Sequence, residues 1–300
     1  MKSRVCIFLT VLALSFAGCS EPSVSPVEIE ATAVVTDDLG RAVNVPIKVS
    51  RVISLAPSLT EMIFAVGAGD KLVGVTTFCN YPEEAKSIQK VGDTMTPNIE
   101  SIIALKPQIV FVSTASQLEA FMATLAQQNI AVYVTDQKTV DDVFEDLIKI
   151  GEIMGKGEEA SNLAVSLESL AKFYWHARKR DPQTAPPPRV FVQFSNEPLF
   201  TVGKDSYVTQ VVEYAGGESV TKDVPTAFPT LSKETAAALN PDVILLSDSD
   251  DNKEPNAAFK NSPAVREGRV YRINADIISR PGPRLVDAIE TIAKVLTPPK

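Results

Sequence analysis

The chain has 300 residues, 45% of them apolar and 22% charged, with 37 Asp+Glu against 29 Lys+Arg and a formal net charge of −8. The length is compatible with two domains of ordinary size, and the composition is that of a globular protein, which excludes a disordered chain or a multi-span membrane protein. The acidic balance argues against nucleic acid or an anionic lipid surface as main partner and suits docking on something basic.

The first 18 residues read as a secretory signal. Lys2 and Arg4 precede an apolar run over 5–17 that is too short to span a bilayer, and Phe16-Ala17-Gly18-Cys19 resembles a bacterial lipobox. Cys19 is therefore the expected lipidation site. Loss of residues 1–18 removes two positive charges and no negative ones, so the mature chain is more acidic still. With Cys6 in the signal and Cys19 lipidated, Cys79 has no partner for a disulfide and reads as a small buried residue.

Residues 20–33 are polar and Pro-containing, as a tether would be. Residues 34–46 alternate and turn at Asp38-Leu39-Gly40, which predicts a hairpin. RVISL at 51–55 is a strand leading into Ser58-Leu59-Thr60-Glu61, read as a capping box in which Ser58 caps the helix and Glu61 reaches back. Gly67-Ala68-Gly69 follows that helix and is read as its C-cap, not as a phosphate loop. KLVGVT at 71–76 is the next strand, with the loop FCNYP after it.

A repeat then organises the chain. Residues 99–113 read IESIIALKPQIVFVS and residues 233–247 read KETAAALNPDVILLS. Glu100 aligns with Glu234, Leu105 with Leu239, Pro107 with Pro241 and Ser113 with Ser247. Each copy is a short helix, capped by Asn98 or Ser232 and stopped before a proline, that runs into an apolar strand. RVISL and RVFVQF (189–194) open the two halves in the same way, so two similar α/β lobes with a cleft between them are expected. A helix over 139–154 completes the first lobe and a long helical pattern over 158–180 connects the two. The second lobe continues with a helix near 206–215, a strand at 270–274, a Pro- and Gly-rich loop, and a last helix at 284–296.

Catalytic signals are few. His176, the only histidine, lies among Lys and Arg on the long helix and reads as solvated. There is no Cys-x-x-Cys pair, P-loop or dinucleotide fingerprint, so no catalytic residue, metal site or intrinsic cofactor is assigned and no enzyme is expected. Aromatic residues stand out at the ends of strands, where ligands of open α/β sheets gather: Phe78, Tyr81, Phe194, Phe200 and Phe228. The segment Asp276-Ile277-Ile278-Ser279-Arg280 reads as a loop able to meet a polar ligand rim.

RVISLAPSLTE, VGVTTFCNYP, NIESIIALKP, RVFVQFSNEPLFTVGKDS and the second repeat copy together resemble the cobalamin and ferric-siderophore family of periplasmic binding proteins, closest to its cobalamin-binding branch. The resemblance covers roughly 49–298. It implies two Rossmann-like lobes with parallel central sheets joined by one long rigid helix, with ligand held in the interlobe cleft and little closure. The corresponding boundaries are 1–18 signal, 19–48 lipidated tether and hairpin, 49–155 first lobe, 156–181 connecting helix and 182–300 second lobe. It implies a ligand-binding set of Ser58, Phe78, Phe194, Phe200, Phe228, Asp276, Ile277, Ile278, Ser279 and Arg280. Pocket tryptophans of that branch are replaced here by Thr94, Ser113 and Phe228. Glu100 and Glu234 fall where the family docks onto arginines of a permease dimer, which works with ATPase subunits. The implied role is a monomeric, membrane-anchored extracytoplasmic carrier of a corrinoid for an ABC importer. A ferric-siderophore or haem carrier, and a sensor or scaffold without transport, are the alternatives.

Overall fold

The computed structural model describes residues 31–114, 119–179 and 186–296. The expected signal segment, Cys19 and most of the tether lie outside them. The first described element is the expected hairpin: β1 (Thr32–Thr36) pairs antiparallel with β2 (Ala42–Pro46). Its turn is set by Asp37, whose Oδ1 accepts the N–H groups of Leu39 and Arg41, and by Gly40 at φ +73°.

The first lobe contains β3 (Val52–Ser54), α1 (Pro57–Ala65), β4 (Leu72–Val75), α2 (Ile99–Ala104), β5 (Ile109–Ser113), α3 (Glu119–Gln127), β6 (Ala131–Thr135) and α4 (Val140–Ile153). α5 (Gly157–Lys179), 23 residues long, leads to the second lobe. There follow β7 (Arg189–Gln193), α6 (Tyr207–Tyr214), β8 (Glu218–Ser219), α7 (Lys233–Leu239), β9 (Val243–Asp248), α8 (Pro263–Arg266), β10 (Val270–Asn274), α9 (Ala275–Ser279) and α10 (Leu285–Leu296). The sheets run β4-β3-β5-β6 and β8-β7-β9-β10, every pairing parallel. The two orders correspond strand for strand. β5 is buried at every position and β9 at all but its last, as parallel strands covered on both faces require.

The duplication reaches the side chains. Asn98 and Ser232 cap α2 and α7 by accepting the N–H groups of Ser101 and Thr235. Both helices end at a left-handed residue before proline, Lys106 at φ 48° and Asn240 at φ 46°. The expected stop is thus made by a left-handed turn, although residues before proline more often take extended backbone. Arg51, just before β3, and Arg189, the first residue of β7, donate to the last carbonyls of these helices, at Leu105 and Leu239. Gln108 and Asp242 accept the backbone N–H groups of the same two arginines.

One apolar core passes from lobe to lobe. It runs from Leu59 and Phe111 through Val140, Leu147, Ala160 and Ala164 to Val208, Leu245, Leu285 and Ile289. α5 lies against α4, α6 and α10, and small residues permit the close approach: a Cβ built on Gly151 would stand 2.1 Å from that of Ala160. Separate clusters fill the outer faces, around Val110 and Leu125 in the first lobe and around Phe191 and Phe259 in the second. Leu170 of α5 is 42% exposed.

The helix after β3 departs from the expected capping box. α1 begins two residues earlier, with Ala56 as N-cap and Pro57 at its first position, and no side chain caps it. Ser58 is free to face the cleft and Glu61 turns to the other lobe, where two guanidinium groups compensate its charge better than one backbone N–H would. A true capping box occurs at α4, between Thr139 and Asp142.

The hairpin is fastened to the first lobe by Asp38, which accepts from the Asp136 N–H at 2.8 Å and Lys149 Nζ at 2.9 Å. Beside it Asp146 is buried. Its Oδ2 accepts from Gln137 and its Oδ1 has no hydrogen-bond partner. Burial, then the neighbouring Asp38 carboxylate, pushes the Asp146 pKa up to about 8. The native state therefore holds a proton that an unfolded aspartate loses near pH ~4. Stability from this group falls as pH rises from about 4 to about 8. Asp146→Asn, which still accepts from Gln137, is expected to be more stable than the parent at pH ~8 and to lose this part of the slope. Denaturant midpoints measured across that window check it; parallel pH profiles for the two proteins would refute it.

Candidate functional site

The carboxyl ends of both parallel sheets point toward one another across a cleft of about 790 Å³, within the usual range for small-molecule sites. From the first lobe it is lined by Ala56, Pro57 and Ser58 after β3, Phe78 after β4, Ser113 and Thr114 at the end of β5, and Asp136, Gln137 and Lys138 after β6. From the second come Phe194 after β7, Phe200, Phe228, and Asp276, Ser279 and Arg280 after β10.

The second-lobe wall is aromatic. Phe194, Phe200 and Phe228 form a triangle with centroids 6.2 to 6.3 Å apart, Phe200 stacked on Phe228 and Phe194 edge-on to Phe228. Backbone pairing holds it: Phe194 N–H donates to the Phe200 carbonyl, Thr201 N–H to Pro229 and Gly203 N–H to Ala227. Gly203 is required there, because a Cβ would stand 2.3 Å from the Thr226 carbonyl oxygen. Phe228 is 44% exposed and, across the cleft, Phe78 is 58% exposed. Rings left this open to water on a preformed wall gain by being covered.

The opposing first-lobe surface carries small polar groups, Ser58, Thr94, Ser113 and Thr114. Its charged groups are already matched. Lys138 lies 2.6 Å from Asp136, and Thr114 donates to the same carboxylate. Burial alone would raise the Asp136 pKa, and the hydrogen bonds from Lys138 and Thr114 outweigh it, holding it below the usual carboxylate value. Arg280 pairs with Asp276 at 2.5 Å and with Glu61 at 2.9 Å. The cleft thus offers a ring surface, hydroxyls, compensated ion pairs and the exposed carboxylate of Asp205. Among the described residues no group of three His, Cys, Asp or Glu is placed to hold a metal ion.

Eight of the ten residues expected to meet a ligand line this cleft; Ile277 and Ile278 do not. The 276–280 segment is not a loop but begins as the short helix α9, capped by Asn274. Helical spacing puts Asp276, Ser279 and Arg280 on one face and turns Ile277 and Ile278 into the shared core, where Ile278 is fully buried. The sequence reading missed the contributions after β6 and those of Asp205, Ser206 and Tyr207. Their position at the cleft ends of strands or helices was the available signal. Cys79 is buried between the hydroxyls of Thr60 and Thr76. Glu100 and Glu234 are not among the cleft-lining residues; both are exposed in the first turns of α2 and α7.

The chain belongs to the periplasmic binding protein family, whose model matches residues 52–277. It is accordingly a substrate-binding component of an ABC importer, a class that works with a membrane permease and its ATPase. An uncharacterised ABC transporter substrate-binding lipoprotein of Bacillus subtilis, YvrC, is 32% identical, with 99% of this chain and 98% of the relative covered. The vitamin B12-binding protein of Pectobacterium atrosepticum is 32% identical over 82% of this chain and 88% of its own. Among solved structures, the periplasmic vitamin B12 binding protein BtuF of Vibrio cholerae matches with a TM-score of 0.72 and 28% identity, covering 84% of this chain and 98% of that one.

Proposed function

We propose that this protein is a lipid-anchored, extracytoplasmic binding protein that captures a corrinoid and delivers it to an ABC importer. The observation that carries the reading is the chemistry of the cleft: a wall of three phenylalanines facing hydroxyl groups, with its lysine and arginine already neutralised. A corrinoid is a large ring with an apolar face and a rim of neutral amides, and its cobalt carries its own axial ligands. Haem iron takes a His, Cys, Met or Tyr from its protein. Among the described lining residues only Tyr207 is of these types, and its buried hydroxyl already donates to the Ile278 carbonyl. An anionic ferric siderophore would call for unpaired cations. The vitamin B12-binding relatives support the same choice.

Calorimetric titration with cyanocobalamin, cobinamide, haem, a ferric catecholate and a ferric hydroxamate is the direct test. Corrinoid binding in preference to the other two classes is expected; binding of haem or siderophore alone would overturn the reading. Phe78→Ala and Phe228→Ala should each weaken corrinoid binding by about 1–3 kcal/mol if the ring is covered on binding. Parent affinity in both variants would move the pocket elsewhere.

Glu100 and Glu234 support delivery. They occupy matched first-turn positions on matched helices, one per lobe, and suit a two-fold basic permease surface. The double alanine variant should keep its fold and corrinoid affinity while losing uptake in a reconstituted transporter. Uptake at the parent rate would reduce both glutamates to helix-end residues. Anchoring through Cys19 predicts that Cys19→Ser releases the protein from membranes and abolishes labelling by palmitate. Persisting labelled, membrane-bound protein would contradict it.

A further inference from the structure

Beside the cleft lies a charged network of which the ligand reading uses only Asp276 and Arg280. Glu61, on α1 of the first lobe, is buried, its side chain 2% exposed, and receives two arginines of the second lobe. Arg284 grips it with two bonds, Nε to Oε2 at 2.9 Å and Nη2 to Oε1 at 2.6 Å, and Arg280 Nη1 adds a third at 2.9 Å. The network closes on itself. Arg280 also donates to Asn80 Oδ1 at 2.8 Å, to the Phe78 carbonyl at 3.4 Å and to Asp276. Asn80 Nδ2 donates back to Asp276 Oδ2 at 3.0 Å, and the Tyr81 ring lies 4.0 Å from the Arg284 guanidinium carbon. Glu61, Phe78, Asn80 and Tyr81 of the first lobe are thereby tied to Asp276, Arg280 and Arg284 of the second. Glu61, Asn80, Tyr81 and Arg284 do not line the cleft; Phe78, Asp276 and Arg280 do.

We propose that Glu61 is a positioning residue that latches the two lobes beside the cleft, setting its width and holding Phe78 and Arg280 in place before ligand arrives. A lone buried carboxylate would be costly, but one shared by two guanidiniums is compensated only while the lobes keep this spacing. Opening the lobes at this end would separate charges without replacing their partners. Asp276 and Asn80 stiffen the same crossing at the rim, so the loop carrying Phe78 and the α9 segment carrying Arg280 act as one unit. The ligand then enters a site already at its final width, and the ordering cost is met by folding instead of binding. This rests on the substrate-binding reading for its consequence, though not for its geometry.

The experiment has a ligand-free arm and a ligand arm. Amide hydrogen exchange of the whole protein should show residues 78–81 and 276–284 exchanging together roughly tenfold faster or more in Glu61→Gln than in the parent, with the β5 and β9 strands unchanged. In stopped flow with cyanocobalamin, the parent should bind in a single phase, whereas the variant should add a slower, concentration-independent phase as untethered lobes settle. A residue that merely supports the fold would raise exchange throughout and add no such phase. Asn80→Ala, at an exposed position, and Arg284→Lys should move both readouts in the same direction and stand in if Glu61→Gln does not fold. Unchanged or uniformly raised exchange in the folding variants would overturn the latch. Failure of cyanocobalamin to bind the parent would overturn the corrinoid reading and leave the exchange result to decide the latch.

Discussion

The interaction on which the rest of this structure depends is the crossing of one carboxylate, Glu61, by two guanidiniums from the other lobe. A two-lobed protein with its ligand between the lobes must hold them at a set distance or spend binding energy bringing them together. Here the spacing is held from two sides. Behind the cleft, α5 packs against helices of both lobes and one apolar core continues through them. Beside the cleft, the carboxylate is compensated only when the lobes are in register. The cleft is an outcome of folding, and its exposed rings are the part left unsatisfied.

The division of labour between the lobes follows from the duplicated fold. Equivalent strands, equivalent left-handed turns and equivalent arginines at the helix ends give the lobes a common frame. Onto that frame the second lobe places three phenylalanines and the first places hydroxyls. The same duplication carries Glu100 and Glu234 to matched outer positions, so the symmetry that builds the cleft also presents two carboxylates outward.

Much of this was legible in the amino-acid order, because the signals are local. Helix caps, the stop before Pro107 and Pro241, alternating and continuous apolar runs, and the repeat itself each depend on residues within a few positions. The phenylalanines could be placed because strand ends predict where loops converge. What was misread depends on partners far away in sequence. Ser58-x-x-Glu61 has the form of a capping box, but Glu61 answers to residues 280 and 284, and Pro57 starts the helix without it. Ile277 and Ile278 were assigned to a loop on the strength of the Pro and Gly that follow. Asn274 caps a helical turn there, and the two isoleucines join the core. Asp146 resembles any helix acid until the hairpin brings Asp38 beside it.

The most direct test of this account is a crystal structure of the protein with cyanocobalamin bound. The account predicts the corrin between Phe78 and the Phe194, Phe200 and Phe228 wall, with Glu61 still joined to Arg280 and Arg284 and the lobes at their present spacing. A corrinoid bound outside the cleft, or one bound within it only after Glu61 has parted from both arginines and the lobes have rotated, would contradict it.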